Sequence, residues 1–363
     1  MGTVAAMSIQ RIGIVVHEGK AVARAAAVTV REWAAAQGVP VANVDVWHDG
    51  ELARRHARDE AAEAGFPDLF VTIGGDGTFL RGARIASATD AAVLGVDVGR
   101  VGFLTEVGVD DLVRALDAVQ DGTATIEERL TLSMRASRPL EIPDGIEGLI
   151  RYGRGPILPP PHVRATLPGD VGWGVGLDVM ALNDVVFEKL ARDRQASLAM
   201  YAGGRLFASY SADALVVSSP TGSTAYSFAA GGPVLSPRVA GIVFTPVAPH
   251  MIFDRSLVFG ADEIVAVQVL RHSGQVAVSV DGQLRGVLDP GDWLAVFACQ
   301  QPARLVRLRP SDFFGRVRRR FGLTDAAAAT ADGSAPLEYR PNTPRPAEIA
   351  HLYLAPPIEV DAG

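Results

Sequence analysis

The stretch VTIGGDGTFLRGARIA, Val71 to Ala86, sets the architecture of the first third of the chain. An apolar run ends in GGDG (74–77), and a helix-like segment follows directly. Glycine lets the backbone turn sharply and lets a ligand approach without a Cβ in the way. The helix that follows offers unpaired N–H groups and the positive end of its dipole, so the junction suits a phosphate group. A tight strand-to-helix turn without a ligand is the alternative.

The segments around this junction alternate between strand and helix. Strands are predicted at 11–17, 41–47, 69–73 and 91–99, and helices at 21–37, near 51–64, after residue 77 and at 110–122. Strands that alternate with helices form a parallel sheet, and ligands bind outside the carboxyl ends of its strands. Residues 1–124 are therefore predicted to form an α/β domain with a Rossmann-like parallel sheet, although neither a GxGxxG nor a P-loop sequence is present.

From about residue 125 the pattern changes to short segments that alternate at period two. They cover 126–137, 178–188, 196–202 and 205–212, and EIVAVQVL, QVAVSV, WLAVFAC and ARLVRLR follow. Short strands at regular spacing predict a C-terminal β-sandwich-like domain over 125–324, with a terminal helix near 311–323. A Pro- and Gly-rich insertion interrupts the domain at 138–175, and residues 325–363 have the composition of a disordered tail.

A second junction lies inside this region, in ADALVVSSPTGSTAYSFAAGGPVLSP (212–237). ALVVSS predicts a buried strand, and STAYSFAA predicts a helix that ends at the glycines before Pro233. Five hydroxyl residues surround the turn, namely Ser218, Ser219, Thr221, Ser223 and Thr224. Helix capping accounts for one or two of them. The turn is therefore either a heavily capped helix start or a polar lining for the base and ribose of a nucleotide.

Composition excludes several classes of protein. Of 363 residues, 48% are hydrophobic and 21% charged, and the formal net charge is -7, which argues against a nucleic-acid-binding face. The one cysteine, Cys299, rules out an intramolecular disulfide and fits a reducing compartment. We find neither a signal peptide nor an apolar run near the roughly 18 residues of a membrane span. We therefore expect a cytoplasmic protein that binds neither nucleic acid nor membrane.

The two junctions together resemble the NAD kinase family. The matching motifs are GGDGT (74–78), GVDVGRVGFLTE (95–106), LNDVV (182–186), DALVVSSPTGSTAYSFAAGGPVLSP (213–237), TPVAPH (245–250) and VDGQ (280–283). They follow the family's order and rough spacing over about residues 10–323. GGDGT also occurs in lipid kinases related to diacylglycerol and sphingosine kinases, whereas PTGSTAYS followed by AGGP is much more specific.

The resemblance implies an enzyme that transfers a phosphoryl group from ATP to the 2′-hydroxyl of the adenosine ribose of NAD, giving NADP and ADP. It implies NAD and ATP as substrates, with polyphosphate as an alternative donor, and Mg²⁺ or another divalent cation as cofactor. It also implies a homodimer or homotetramer in which a neighbouring subunit contributes to the NAD pocket. A lipid kinase and a catalytically weak nucleotide-binding regulator are the alternatives. The preference between NAD and NADH stays open.

The resemblance also implies the residues of the site. Asp76 corresponds to the candidate base for the ribose hydroxyl, with orientation of that hydroxyl or assistance to Mg²⁺ as further roles. Phosphate and ATP binding are expected at Gly74, Gly75, Gly77 and Thr78. NAD binding is expected at Phe103, Asn183, Asp184, Asp213, Thr224, Ala225, Tyr226 and His250. The residues that would hold the metal stay open.

Two positions depart from the family pattern. Asp97 stands where the family usually has Asn, which puts a charge close to the phosphates. Asp184 stands where the family has Glu, so the acid is one methylene shorter and its reach to the substrate is in question.

Other positions have a structural alternative. Phe103 is either a pocket residue or a core phenylalanine, and His250 is either a site residue or a structural histidine. In VDGQ, Asp-Gly between two period-two runs is a hairpin signal by itself, so Asp281 is left out of the catalytic set. RVRRR (316–320) predicts a solvated helix face, with docking of phosphate-rich ligands as the lesser alternative.

Overall fold

The computed structural model describes residues 9–46, 56–99, 102–140, 174–191, 194–309 and 312–323. Nearly all of the predicted insertion 138–175 and the whole predicted tail 325–363 lie outside these ranges. The described residues up to Arg316 form one compact unit, and those from Val317 onward belong to a second. None of the helices in the described ranges combines the length and the apolarity that a membrane crossing needs.

The first part of the chain alternates strand and helix as predicted. Its elements are β1 (Ile12–Val16), α1 (Ala21–Gln37), β2 (Val41–Asn43), α2 (Ala57–Glu63), β3 (Leu69–Gly74), α3 (Asp76–Ser87), β4 (Ala92–Asp97), β5 (Val107–Gly108), α4 (Leu112–Gln120) and β6 (Thr125–Arg129).

The second part consists mainly of strands. Its elements are β7 (Leu132–Ala136), β8 (Val175–Ala181), β9 (Asp184–Lys189), β10 (Ala196–Ala202), β11 (Arg205–Ala212), β12 (Ala214–Ser218), α5 (Tyr226–Ala229), β13 (Gly241–Val247), β14 (Leu257–Gly260), β15 (Val265–Val269), β16 (Val276–Val280), β17 (Gln283–Leu288), β18 (Trp293–Ala298), β19 (Ala303–Arg307) and α6 (Phe313–Phe321).

The first sheet has the order β2-β1-β3-β4-β19-β6, with β5 beside β4. Its central strands are buried on both faces because helices cover both. Leu69, Val71 and Ile73 of β3 pack in one hydrophobic cluster with residues of α1 and α4. Phe70 of the same strand packs in a second cluster with Phe79 of α3. This arrangement confirms the predicted α/β fold, in which apolar runs become fully buried parallel strands.

Two strands of the predicted β-rich region complete the first sheet. β19 pairs in parallel with β4, and β6 pairs antiparallel with β19. The run 126–137, predicted as one period-two segment, is divided between β6 in the first sheet and β7 in the second. Alternation cannot show where a chain passes from one sheet to another, because the side-chain period is the same on both sides of the crossing.

The second and third sheets form the predicted β-sandwich. The second has the order β11-β10-β15-β18-β7-β8, the third has the order β14-β13-β12-β9-β16-β17, and all their pairings are antiparallel. One hydrophobic cluster joins them, with Leu198 and Leu294 from the second sheet and Phe187 and Phe244 from the third. Inward-facing residues of two sheets that share a core define a sandwich.

Candidate active site

The glycines of the GGDG turn have different surroundings. A Cβ on Gly74 would lie 2.2 Å from Oγ1 of Thr78, so glycine is needed there for the strand to enter α3. A Cβ on Gly75 or Gly77 would meet no atom within 4 Å, and both residues line a cavity of about 460 Å³. The backbone at these two positions is therefore open to a ligand, as expected for phosphate binding, whereas Gly74 serves the turn itself.

The cavity lies between the start of α3 and the hairpin that joins β16 to β17. Thr78 and Arg81 line it from α3, Lys20 lines it from the β1–α1 loop, and Asp281 and Arg285 line it from the hairpin. It opens at the carboxyl end of β3, where parallel sheets bind their ligands. The first sheet and the sandwich thus both contribute to its walls.

The carboxylate of Asp76 is held by the loop that follows β4. Its Oδ2 accepts a hydrogen bond from the backbone N–H of Phe103 at 3.0 Å, and its Oδ1 accepts one from Leu104 at 3.1 Å. A Cβ on Gly102 would lie 2.2 Å from Oδ1 of Asp76, so this close approach requires glycine. A carboxylate has about four lone-pair sites, so each oxygen can accept a further hydrogen bond. The position is compatible with binding a hydroxyl group.

Phe103 is half-buried and belongs to none of the hydrophobic clusters that the described residues form. Its backbone takes part in the loop, since its N–H donates to Asp76 and its carbonyl accepts from Arg316 at 3.2 Å. This placement disfavours the core alternative and puts Phe103 beside the candidate base.

Asp97 brings its charge next to the GGDG turn. It ends β4, pairs with Gly74 in the sheet register and is buried. Its Oδ1 accepts from the N–H of Gly99 at 2.6 Å, and its Oδ2 accepts from Oγ1 of Thr105 at 3.3 Å. The carboxylate thus organises the loop after β4.

A cluster of ion pairs fixes the loop that holds Asp76. Glu106 accepts from both Arg307 and Arg316 at 2.9 Å. Arg307 also donates to the carbonyl of Leu104 at 3.1 Å, and Arg316 donates to that of Thr105 at 2.8 Å. The side chain of Arg316 is only 16% exposed, so the prediction of a solvated face is wrong for this first residue of RVRRR. The sequence RVRRR suggested a solvated face because a run of like charges does not reveal an ion-pair partner more than 200 positions away in the chain.

The same cluster extends to the second junction. Glu127 accepts from Arg307 at 2.6 Å and from Arg129 at 2.9 Å, and Arg129 donates to Oγ1 of Thr221 at 3.2 Å. The loop behind Asp76 and the PTGS turn are therefore linked by an unbroken chain of polar contacts.

The PTGS turn is shorter and tighter than predicted. A 3₁₀ turn covers Thr221–Thr224, the backbone breaks at Ala225 (φ -101°, ψ -125°), and α5 follows over Tyr226–Ala229. The prediction of a continuous helix through STAYSFAA is therefore wrong. Helix propensity does not predict the break at Ala225, because the break results from the packing of this turn against the neighbouring strands.

The hydroxyls of this turn hold the turn together. Ser219 donates to the carbonyl of Leu182 and accepts from the N–H of Gly222 at 3.2 Å. Ser223 accepts from the N–H of Leu235 at 2.9 Å. Ser218 and Thr224 also donate to backbone carbonyls within the junction. Most of these hydroxyls thus serve to hold the turn, as the alternative of a heavily capped helix start requires. Thr224 is half-buried and Tyr226 is 39% exposed, so both remain accessible to a ligand.

Asn183 and Asp184 lie against the PTGS turn. A Cβ on Gly222 would lie 2.1 Å from the carbonyl oxygen of Asn183, and the N–H of Ser219 donates to that oxygen at 2.9 Å. Asp184 is 4% exposed and accepts the backbone N–H of Tyr226. Burial and the neighbouring Asp281 raise the pKa of Asp184 to about 7.

Asp281 is a functional candidate that the sequence analysis excluded. The predicted hairpin is confirmed, because Asp281 (φ 48°) and Gly282 (φ 75°) turn β16 into β17 in left-handed conformation. The Asp281 carboxylate also accepts the N–H groups of Leu182, Asn183 and Asp184 at 2.9, 2.7 and 3.1 Å. It lines the cavity, and burial raises its pKa despite the three donors.

Two more of the predicted NAD-binding residues, Asp213 and Tyr226, interact electrostatically with their surroundings. Asp213 forms an ion pair with Lys189, and burial together with the charges of Glu188, Asp184 and Asp213 raises the pKa of Tyr226. Asp184, Asp213 and Tyr226 thus share one electrostatic environment.

His250 follows β13, whose last residue, Val247, accepts the backbone N–H of Asp213. His250 is exposed, and its backbone N–H donates to the carbonyl of Ser211 at 2.7 Å. It does not line the cavity.

The comparisons with known proteins agree with these motifs. Residues 12–124 match the ATP-NAD kinase N-terminal domain, and residues 182–308 match the ATP-NAD kinase C-terminal domain. NAD kinase 1 of Streptomyces avermitilis is 59% identical over 96% of this chain and 98% of its own. NAD kinase 1 of Streptomyces coelicolor is 58% identical over 97% of this chain and 96% of its own.

Two solved structures share the fold at 21% sequence identity. Yeast NADH kinase complexed with NADH has a TM-score of 0.66 and covers 88% of this chain and 89% of its own. An NAD kinase from Archaeoglobus fulgidus in complex with ATP has a TM-score of 0.58 and covers 85% of this chain and 98% of its own. With both domains matched and relatives nearly 60% identical along its length, this chain belongs to the NAD kinase family.

Proposed function

We propose that this protein phosphorylates the 2′-hydroxyl of the adenosine ribose of NAD with ATP, giving NADP and ADP. The observation that carries the proposal is the open backbone at Gly75 and Gly77, which lines the cavity beside Asp76. Yeast NADH kinase and the Archaeoglobus NAD kinase, whose fold the chain shares, bind NADH and ATP respectively. The family relationship favours this function over a lipid kinase.

In the proposed reaction the ribose oxygen bonds to the γ-phosphorus of ATP, and the bond from that phosphorus to the bridging oxygen breaks with ADP as the leaving group. The hydroxyl proton passes to Asp76 or to solvent. Phosphoryl transfer depends on positioning and charge stabilisation more than on covalent help from the protein. The two N–H groups of the 103–104 backbone would hold the Asp76 carboxylate in place for this role.

A divalent cation is part of the proposal, but the described residues supply few ligands for it. Among the described residues, no group of three or more His, Cys, Asp or Glu side chains could hold a metal ion. The oxygens of Asp97 already accept hydrogen bonds from Gly99 and Thr105. Mg²⁺ in phosphoryl-transfer sites is commonly bound through substrate phosphates and water with one or two carboxylates. Because the described residues form no such group, the ion would be held mainly by the phosphates of the donor.

The direct test is NADP formation from purified protein, ATP, NAD and Mg²⁺, read with an NADP-specific dehydrogenase. Asp76→Asn is expected to lower turnover by about 10²-fold or more, because the hydroxyl loses its carboxylate acceptor. Asp121→Asn, which changes an exposed acid at the end of α4, is the matched control and should keep wild-type turnover.

Wild-type turnover in folded Asp76→Asn protein would remove Asp76 from the mechanism. Absence of NADP in the wild type, with NAD still raising the melting temperature, would instead favour the catalytically weak regulator. The cytoplasmic location and the homodimer or homotetramer inferred from the family remain part of this proposal. Sedimentation of the purified chain would decide the assembly.

A further inference from the structure

Arg316 lies on α6, outside both segments that match the family's domains. Those segments end at residues 124 and 308, whereas α6 begins at Phe313. The side chain of Arg316 is 16% exposed. The three arginines that follow it on the same helix, at 318–320, are exposed. Arginine is seldom buried unless it is paired, so a buried arginine at the start of an exposed basic run indicates a specific internal role.

The first turn of α6 is fixed by local contacts. The carboxylate of Asp312 accepts the backbone N–H of Gly315 at 2.8 Å. A Cβ on Gly315 would overlap this carboxylate, so the approach requires glycine. Phe313 is buried in the same turn. An acid that caps the start of a helix stabilises its first turn, from which the side chain of Arg316 extends.

Arg316 donates to three acceptors on the loop that follows β4. Its Nη1 donates to the carbonyl oxygen of Phe103 at 3.2 Å and to that of Thr105 at 2.8 Å. Its Nη2 donates to the carboxylate of Glu106 at 2.9 Å. Hydrogen bonds from an ionised donor are shorter and roughly twice as strong as neutral ones. One guanidinium group therefore holds three successive parts of this loop.

One of these acceptors belongs to the peptide group that binds Asp76. The carbonyl of Phe103 and the N–H of Leu104 are the two ends of one peptide group, which is planar and rigid. The carbonyl accepts from Arg316 at 3.2 Å, and the N–H donates to Oδ1 of Asp76 at 3.1 Å. Because hydrogen bonds in a chain polarise one another, the guanidinium makes this N–H a stronger donor. A single peptide group thus separates Arg316 from the candidate base.

The second donor to Asp76 provides an internal reference. The N–H of Phe103 donates to Oδ2 of Asp76 at 3.0 Å. This N–H shares its peptide group with the carbonyl of Gly102, which is not among the acceptors of Arg316 in the described part of the chain. Loss of Arg316 should therefore weaken the hydrogen bond from Leu104 more than the one from Phe103.

We propose that Arg316 is a positioning residue for phosphoryl transfer, which fixes the Asp76 carboxylate through the 103–104 peptide group. The proposal rests on the proposed kinase function and adds a requirement for α6 to it. Arg316 does not line the cavity, so it acts on turnover and not on the binding of ATP or NAD. Phosphoryl transfer depends on positioning, and a displacement of about 1 Å can cost about 10²-fold in rate.

The first part of the test measures turnover in the NADP assay. Arg316→Gln should lower kcat by about tenfold or more and leave the KM for ATP and for NAD within about twofold of wild type. Arg320→Gln removes an exposed arginine from the same helix and is the matched control, which should keep the wild-type kcat. Arg316→Lys keeps the charge but loses the planar fork of donors, so its kcat should fall between wild type and Arg316→Gln.

The second part separates positioning from general stabilisation. Arg316→Gln is combined with Asp76→Asn, which removes the carboxylate through which Arg316 acts, and the residual turnover is measured at raised enzyme concentration. In this background Arg316→Gln should lower kcat by a much smaller factor than in the wild type, because residues that act as a unit are not additive. An equal factor in both backgrounds would assign Arg316 to stability alone and overturn the proposal.

The third part does not depend on activity. In the folded full-length protein, the Leu104 amide proton of Arg316→Gln should shift upfield in the NMR spectrum and exchange faster with solvent. The Phe103 amide should change less, because its own peptide carbonyl does not accept from Arg316. Arg320→Gln should leave both amides unchanged.

Two further results would overturn the proposal. One is a kcat of folded Arg316→Gln equal to that of Arg320→Gln, and the other is a Leu104 amide that does not respond to Arg316→Gln. Failure of the kinase function is distinguishable, because the wild type would then form no NADP while the Leu104 amide still responded. If Arg316→Gln fails to fold, Arg316→Lys is measured in all three parts in its place.

Discussion

Asp184 and Asp281 are neighbouring acids whose environments differ in the number of backbone donors. Three N–H groups point at Asp281, whereas Tyr226 supplies one to Asp184. Asp184 is also 4% exposed, and its pKa is raised to about 7. An acid that is partly protonated near neutral pH can donate a hydrogen bond as well as accept one. Asp184 is therefore a buried, proton-binding group beside the candidate NAD site.

The effect of Asp184 on stability should depend on pH. Its pKa is raised from 3.8 to about 7 in the folded protein, so the native state binds its proton more tightly than the unfolded state does. Its contribution to the free energy of unfolding is complete below about pH 4 and is lost as pH rises toward 7. Asp184→Asn should therefore gain stability relative to wild type over that interval, by at most about 1.4 kcal/mol per pH unit, and then level off.

Urea unfolding at several pH values between about 4 and 8 would measure this difference. Exposed Asp121→Asn should show no comparable change over the interval. A stability difference between Asp184→Asn and wild type that does not vary with pH would contradict the raised pKa.

Among the structural elements, the PTGS turn depends on a close contact between backbones. Gly222 has an ordinary backbone conformation, so its requirement for glycine is one of space: a Cβ would lie 2.1 Å from the carbonyl oxygen of Asn183. That contact joins the 3₁₀ turn before α5 to the start of β9. It places Asn183 and Asp184 beside Tyr226.

Gly222→Ala should destabilise the protein by about 1–3 kcal/mol, because the added methyl group meets backbone that cannot move independently. Gly274→Ala is the control, since a Cβ there meets no atom within 4 Å and the backbone φ is not positive. Thermal and urea unfolding of both variants would test the difference. Equal stability of the two variants would mean that the turn adapts to the extra carbon.

Over the whole molecule, buried ion pairs connect the two predicted junctions. Arg316, Glu106 and Arg307 fix the loop behind Asp76, and Glu127 and Arg129 continue the cluster to Thr221. β6 and β19 bring these residues together because both strands complete the first sheet. The site is thus supported by residues from both ends of the described chain.

Glu106→Gln should destabilise the protein by about 3 kcal/mol or more, because removing one partner leaves buried arginines uncompensated. Its side chain is 7% exposed, in contrast to the exposed pair Arg114–Asp111. Asp111→Asn should therefore cost less than about 1 kcal/mol. Urea unfolding would measure both effects. Faster amide exchange at Phe103 and Leu104 in Glu106→Gln alone would show that the loop holding Asp76 is loosened, and similar stability of the two variants would contradict the role of the cluster.

The amount that could be predicted differed between the fold and the site. Helix 21–37 and the strands around Gly74 were predicted almost to the residue, because their periodicity and end signals are local. In the site, Arg81 and Arg84 follow Gly77 at helical spacing, so a check of that helix face could have found them. Arg285 had no such signal, because its direction depends on a bulge in β17.

Information contained in short stretches was sufficient for the α/β and β-sandwich halves, the two glycine junctions and the family. Each rests on side-chain period, turn chemistry or motif order, which neighbouring residues specify. The assignment of β6 and β19 to the first sheet, the donors that surround Asp281 and the arginine-lined cavity required the folded molecule. Asp281 accepts a hydrogen bond from Asn183, which is 98 positions away in the sequence, and Arg307 donates one to Glu106, which is 201 positions away. Contacts over such separations exist only once the chain has packed, because local sequence does not specify which distant groups will share a buried space.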